Sequence, residues 1–203
     1  MDNPIDSLNE IKSMMQRSSK FTSISGWSGI WVGIVGLISS AFAYLIILKS
    51  KLNLYGLQPD MGRDISLLFL AITTLFVAIG GGLFFMQRKT NKDNVKFINP
   101  VSKRILRRFI FVLIVGGILC VNLYYHLSFV YIAPTTLIFY GLALLNIEKE
   151  TVSEVKYLAY TEIILGLAAF YFIYNGLLFW AIGFGLVHIL FGIKMVRKYD
   201  FKD

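Results

Sequence analysis

Two ionisable side chains in this chain of 203 residues fall where hydrocarbon should surround them. Glu162 is the sole acid inside an apolar span, and His188, one of two histidines, lies in the next one. The two spans flank Asn175-Gly176, and counting from that midpoint puts Glu162 13.5 residues before it and His188 12.5 residues after it. At about 1.5 Å of rise per residue, the depths differ by roughly 1.5 Å. An ionisable group in hydrocarbon costs about 2.5 kcal/mol or more, so such groups face partners and mark function by default. A carboxyl beside an imidazole in low dielectric can titrate as a coupled pair, which is the chemistry of a proton or cation site. The structural alternative is an interhelical clamp, in which the imidazole bonds the carboxyl and merely ties two helices.

Helical spacing places Glu162 on a face with Gly166, Ala169 and Ile173, and His188 on a face with Ala181, Gly185 and Gly192. Gly166 and Gly185 are each 9.5 residues from the same midpoint. The spacing therefore predicts a close crossing there, with Glu162 and His188 within bonding reach roughly 10 Å inside the cytoplasmic face of a core about 30 Å thick. Tyr160, Thr161, Asn122 and Tyr171 are candidates to line a path to the pair.

The elements that carry these residues follow from composition. With 56% hydrophobic and 16% charged residues and a mean hydropathy of +0.66, the chain is too apolar to solvate its surface as a water-soluble domain. A span needs about 20 mostly apolar residues. Six candidates stand at roughly 25–48, 65–86, 109–125, 127–146, 155–174 and 177–196, which predicts an all-α polytopic membrane protein of six transmembrane helices in three hairpins. The net charge of +8 follows topology rather than a nucleic-acid surface: eight of the 20 basic residues lie between 87 and 108, and the third and fifth loops hold none. With both termini cytoplasmic, 17 basic residues fall inside and three outside, as the positive-inside rule requires. Asp2, Asp6 and Glu10 interrupt what would be a basic leader, so the first apolar run is expected to remain as an anchor. Cys120 is the single cysteine, so an internal disulfide and a thiolate cluster are both excluded.

Residues 1–23 read as an amphipathic interfacial helix. Asn3 can cap it, Pro4 suits its first position, and Leu8, Ile11 and Met15 share a face flanked by Lys12, Arg17 and Lys20. In the first span Gly26, Gly29, Gly33, Gly36, Ser40 and Ala43 recur every three or four residues, making one whole face small. The second span answers with Ala71, Thr74, Ala78 and Gly81, which predicts a packed antiparallel pair; a face between copies of the chain in a homo-oligomer is the alternative. Lys103, Arg104, Arg107 and Arg108 follow Pro100 at helical spacing in the main cytoplasmic loop. Anionic lipid headgroups are their most economical partner, and a cytoplasmic or membrane protein is another.

Enzyme signatures do not appear: the chain has no Walker loop, no zinc-protease HExxH and no nucleophile elbow. No cofactor or metal is implied either, because His126 sits at an outer turn and leaves two ligands at the pair. Glu148, Glu150 and Glu154, at the mouth of the fifth span, read as helix-start acids. The stretches Arg17-Ser18-Ser19-Lys20-Phe21, Ser23-Ile24-Ser25-Gly26-Trp27-Ser28-Gly29-Ile30 and Leu177-Leu178-Phe179-Trp180-Ala181-Ile182-Gly183-Phe184-Gly185-Leu186-Val187-His188 resemble those of uncharacterised small six-span bacterial membrane proteins. That resemblance implies a multi-pass protein of the bacterial cytoplasmic (inner) membrane and implies no activity. Two function classes follow from the residues: a non-enzymatic module acting as sensor, regulator or assembly partner, and a small proton-coupled transporter or channel using Glu162 and His188.

Overall fold

The computed structural model describes residues 24–49, 61–92, 98–126 and 128–200. The interfacial helix expected over 1–23 lies outside them. Among the described residues every element is helical. Helix α1 is Gly26–Lys49, α2 Met61–Lys92, α3 Pro100–Tyr125, α4 Ile132–Ile147 and α5 Glu154–Tyr171. The last helical run contains α6, Gly176–Ala181, and α7, His188–Met195, separated by a π-helical turn over Ile182–Val187 and followed by another over Val196–Asp200. Five helical stretches are long and apolar enough to cross a membrane: Gly26–Lys49, Met61–Lys92, Pro100–Tyr125, Phe129–Glu150 and Ile173–Asp200. Helix α5 stands outside that set, since its 18 residues carry Glu154, Lys156 and Glu162.

Helix α3 starts nine residues before the expected span because its start is well capped. Asn99 Oδ1 accepts from the Ser102 backbone N–H at 2.7 Å, Ser102 Oγ accepts from the Asn99 N–H at 2.9 Å, and Pro100 opens the helix. Lys103, Arg104, Arg107 and Arg108 therefore stand on the first turns of α3 rather than in a loop.

Helices α1 and α2 pack antiparallel. Lys89 Nζ donates to the Ile24 carbonyl at 3.0 Å, Trp31 Nε1 to the Val77 carbonyl at 3.0 Å, and the Ser39 and Thr74 hydroxyls bond at 2.6 Å. Successive helices alternate in direction, so Lys89, Arg108, Glu150, Glu154 and Asp200 gather at one end, and Arg63 meets the Phe129 ring at the other. The best-buried apolar cluster, Leu144, Val152, Val155, Leu158, Ala159 and Met195, lies beside the charged end. Elsewhere large apolar side chains face outward, as on α2, where Leu68, Phe69, Ile72, Leu75, Phe76 and Ile79 are exposed. A water-soluble bundle could not leave such a continuous face bare.

One packing expectation is overturned. The glycine face of α1 meets the last helical run, not α2. A Cβ on Gly29 would lie 3.0 Å from the Gly192 Cα, and one on Gly33 would lie 2.7 Å from the Gly185 carbonyl oxygen. Gly26 likewise abuts Val196, and Gly36 abuts Phe184. Helix α2 reaches α1 on another side, where Gly81 makes room for the Trp31 ring. Six small positions in one helix specify that some backbone comes close, but not which one. Because the face is covered within the chain, it is not available as a face between copies.

Candidate functional site

Three helices bring the polar residues together. Glu162 lies midway along α5 with 0% side-chain exposure, His188 opens α7 with 3%, and His188 Nδ1 stands 3.3 Å from Glu162 Oε1. The third member is Tyr140 of α4, whose hydroxyl bonds His188 Nε2 at 2.9 Å. On the other side of the ring, His188 Nδ1 lies 2.8 Å from the Gly183 carbonyl oxygen. A carbonyl only accepts, so Nδ1 carries a proton and donates it there. With a neutral imidazole, Nε2 is then the acceptor and the Tyr140 O–H donates to it.

Glu162 is left in an unusual position. Its distance to Nδ1 is that of an ion pair, yet the imidazole N–H points at Gly183, and neither carboxyl oxygen has a hydrogen-bond partner among the described residues. A lone carboxylate so placed would cost several kcal/mol. The pair is free of net charge either as carboxylic acid with neutral imidazole or as carboxylate with imidazolium.

The π turn builds this geometry. A straight α-helix would carry Gly185 and Gly192 round the same face as His188, but the wide turn over Ile182–Val187 shifts the register and aims Gly183 at the site. A Cβ on Gly183 would lie 2.6 Å from Glu162 Oε2 and 2.6 Å from Leu137 Cδ2, so only glycine admits the carboxyl. Phe184 stacks on the imidazole with centroids 5.8 Å apart, and the Tyr140 ring, 5.3 Å from the imidazole, packs against Phe184 at 5.0 Å, so the three rings form one cluster. These rings and the fully buried Leu137 close the site from solvent. π turns within α-helices frequently mark functional positions.

The glycines expected to cross beside the pair are elsewhere. Gly166 packs on α4, where a Cβ would lie 2.6 Å from Ile138 Cγ1, and Gly185 packs on Leu37 of α1. The pair meets through Gly183 instead. The expected path residues also point away: Tyr160 and Tyr171 are exposed on the outer surface, Asn122 is exposed, and the Thr161 hydroxyl bonds its own helix at the Tyr157 carbonyl. Among the described residues no third His, Cys, Asp or Glu joins Glu162 and His188 as a metal set.

The basic cluster divides. Arg108 pairs with Glu150 at 2.7 Å, and Arg104 approaches the same carboxylate at 3.9 Å. Lys103 and Arg107 are exposed, with no acid in ion-pair range among the described residues. Glu154, expected as a solvated helix-start acid, is buried and tied to Lys198 and to the Tyr199 hydroxyl, the latter at 2.9 Å. Burial alone would raise its carboxyl, but the hydrogen bonds from Lys198 and Tyr199 outweigh that and hold it below the usual carboxylate range. Asp200 makes a second tie: it accepts from the Gly26 N–H at 2.9 Å and pairs with Lys89 at 2.7 Å.

Reasoning from sequence missed Tyr140 and Gly183. Tyr140 carried a usable signal, because it lies 14 residues past His126 in the expected turn, close to the 12.5 residues that separate His188 from the Asn175-Gly176 midpoint. Gly183 carried none, since a π turn has no local sequence signature. No family model, curated protein or solved structure matches the chain.

Proposed function

We propose that the chain is a non-enzymatic membrane module, a sensor, regulator or assembly partner, in which the Tyr140–His188 bond ties the last helix to α4 and Glu162 of α5 packs against the imidazole. The observation that carries this reading is the complete enclosure of the Glu162 carboxyl, at 0% exposure, behind Leu137, Gly183 and the imidazole. A transport site must exchange its cargo with water; a clamp need not. The wider reading is a protein of the bacterial cytoplasmic membrane that crosses six times in three hairpins with both termini in the cytoplasm, of the kind its N-terminal and last-span sequences resemble. It is supported by the alternation of helix direction, and by a cytoplasmic end that would carry 17 of the 20 basic residues. Residues 155–174, which take up all of α5 beyond Glu154, join the five apolar helices as the sixth span, with Glu162 sheltered by neighbours. The exposed Lys103 and Arg107 suit anionic headgroups or a cytoplasmic partner.

The second reading, a proton-coupled transporter or channel, is favoured by one observation: neither Glu162 oxygen is hydrogen-bonded among the described residues. Proton flux in proteoliposomes, driven by a pH step and compared between wild type and Glu162→Gln, separates the two. The module reading expects no protein-dependent flux in either. Flux in wild type that Glu162→Gln abolishes would overturn it.

A further inference from the structure

The last helical run ends in a shallow, largely open cleft whose chemistry changes along its length. Leu190 and Ile193 form its apolar part, and Lys194, Arg197 and Lys198 its cationic part. Leu190 is 66% exposed and continues outward into Leu186, also exposed, along the flank of the helix. Lys194 Nζ stands 5.3 Å above the Tyr157 ring of α5, which fixes the ammonium at the edge of the cleft. Lys198 is engaged by Glu154. Neither Lys194 nor Arg197 has an acid in ion-pair range among the described residues, and both are exposed.

We propose that this cleft is a binding site for one anionic phospholipid, its phosphate held by Lys194 and Arg197 and its acyl chains laid along Leu190, Ile193 and Leu186. The order of the lining residues carries the argument. Apolar side chains face the middle of the bundle and cations face its charged end, the order a phospholipid presents from chain to headgroup. A free phosphate or a soluble acidic peptide would use the cations and leave Leu190 and Ile193 without a role. Basic pockets on the surface of a helical bundle at the cytoplasmic level are suited to acidic lipid headgroups, at about 1 kcal/mol per basic residue. The site is separate from Lys103 and Arg107, which stand on α3. The inference rests on the membrane-spanning reading above.

The test is native mass spectrometry of detergent-solubilised protein titrated with phosphatidylglycerol or phosphatidylcholine. Wild type should retain phosphatidylglycerol in preference to phosphatidylcholine. Lys194→Gln with Arg197→Gln should weaken retention about fivefold per cation, roughly 25-fold in all. These side chains are exposed and leave the Lys198–Glu154–Tyr199 tie intact, so the variant should fold. Lys103→Gln with Arg107→Gln should leave retention within about twofold. Equal retention of the two lipids, or equal loss in the two double variants, would overturn the proposal, as would displacement by glycerol 1-phosphate at concentrations matching the lipid. Extraction from membranes by carbonate without detergent would instead defeat the spanning reading, and is scored separately.

Discussion

At the scale of single residues, the site depends on Tyr140 and Gly183 as much as on the two ionisable groups. Tyr140→Phe removes the donor to His188 Nε2 and leaves a buried acceptor unpaired, which should cost about 1 kcal/mol, near the upper part of what interhelical bonds in membranes supply. Reversible unfolding in mixed micelles measures it, and an unchanged midpoint would remove Tyr140 from the clamp. Glu162 and His188 were legible in the sequence because polarity inside an apolar run stands out and depth can be counted. Tyr140 was not singled out because tyrosine is ordinary in membrane helices. Its bonding role appears only once α4 lies beside α7.

For the helices as elements, the informative contrast lies between glycines that touch another backbone and those that do not. Gly33→Ala would force a Cβ to 2.7 Å from the Gly185 oxygen, whereas a Cβ on Gly80 meets nothing within 4 Å. The first substitution should destabilise the bundle by about 1–3 kcal/mol. The second should be neutral or slightly stabilising through helix propensity. Equal unfolding midpoints for the two variants would contradict the close contact between α1 and the last helical run. The small face of α1 was evident from its three-and-four spacing, yet its partner was misassigned to the neighbouring helix. Chain adjacency favoured α2, but α2 already meets α1 through Trp31 and Ser39, and the glycine face is taken by Gly185, Ile189 and Gly192. The π turns were equally invisible, since an extra residue in a turn leaves composition and hydropathy unchanged.

For the molecule as a whole, charge at one end fastens the chain's last segment to the rest. Asp200 links the last helical run to α1 and α2, and Glu154 links it to α5. Because the folded-state carboxyl of Glu154 titrates below its ordinary value, its contribution is present in full above the unfolded value of about 4.3. It is lost as pH falls through the folded value. Acidification below pH 4.3 should therefore loosen the last segment, read as faster proteolysis near residues 196–200, and Glu154→Gln should show that susceptibility already at neutral pH with less further change in acid. Identical acid profiles for wild type and variant would discount the tie. The sequence alone determined the all-helical, membrane-type architecture and the matched level of Glu162 and His188 along their helices, because hydropathy and helical rise are local properties summed along the chain. The tertiary structure decided which backbone fills the α1 glycine face, that Tyr140 completes the clamp, and that Gly183 admits the carboxyl. Those outcomes depend on how helices distant in sequence rotate against one another, and a single π turn resets that rotation without altering any local signal.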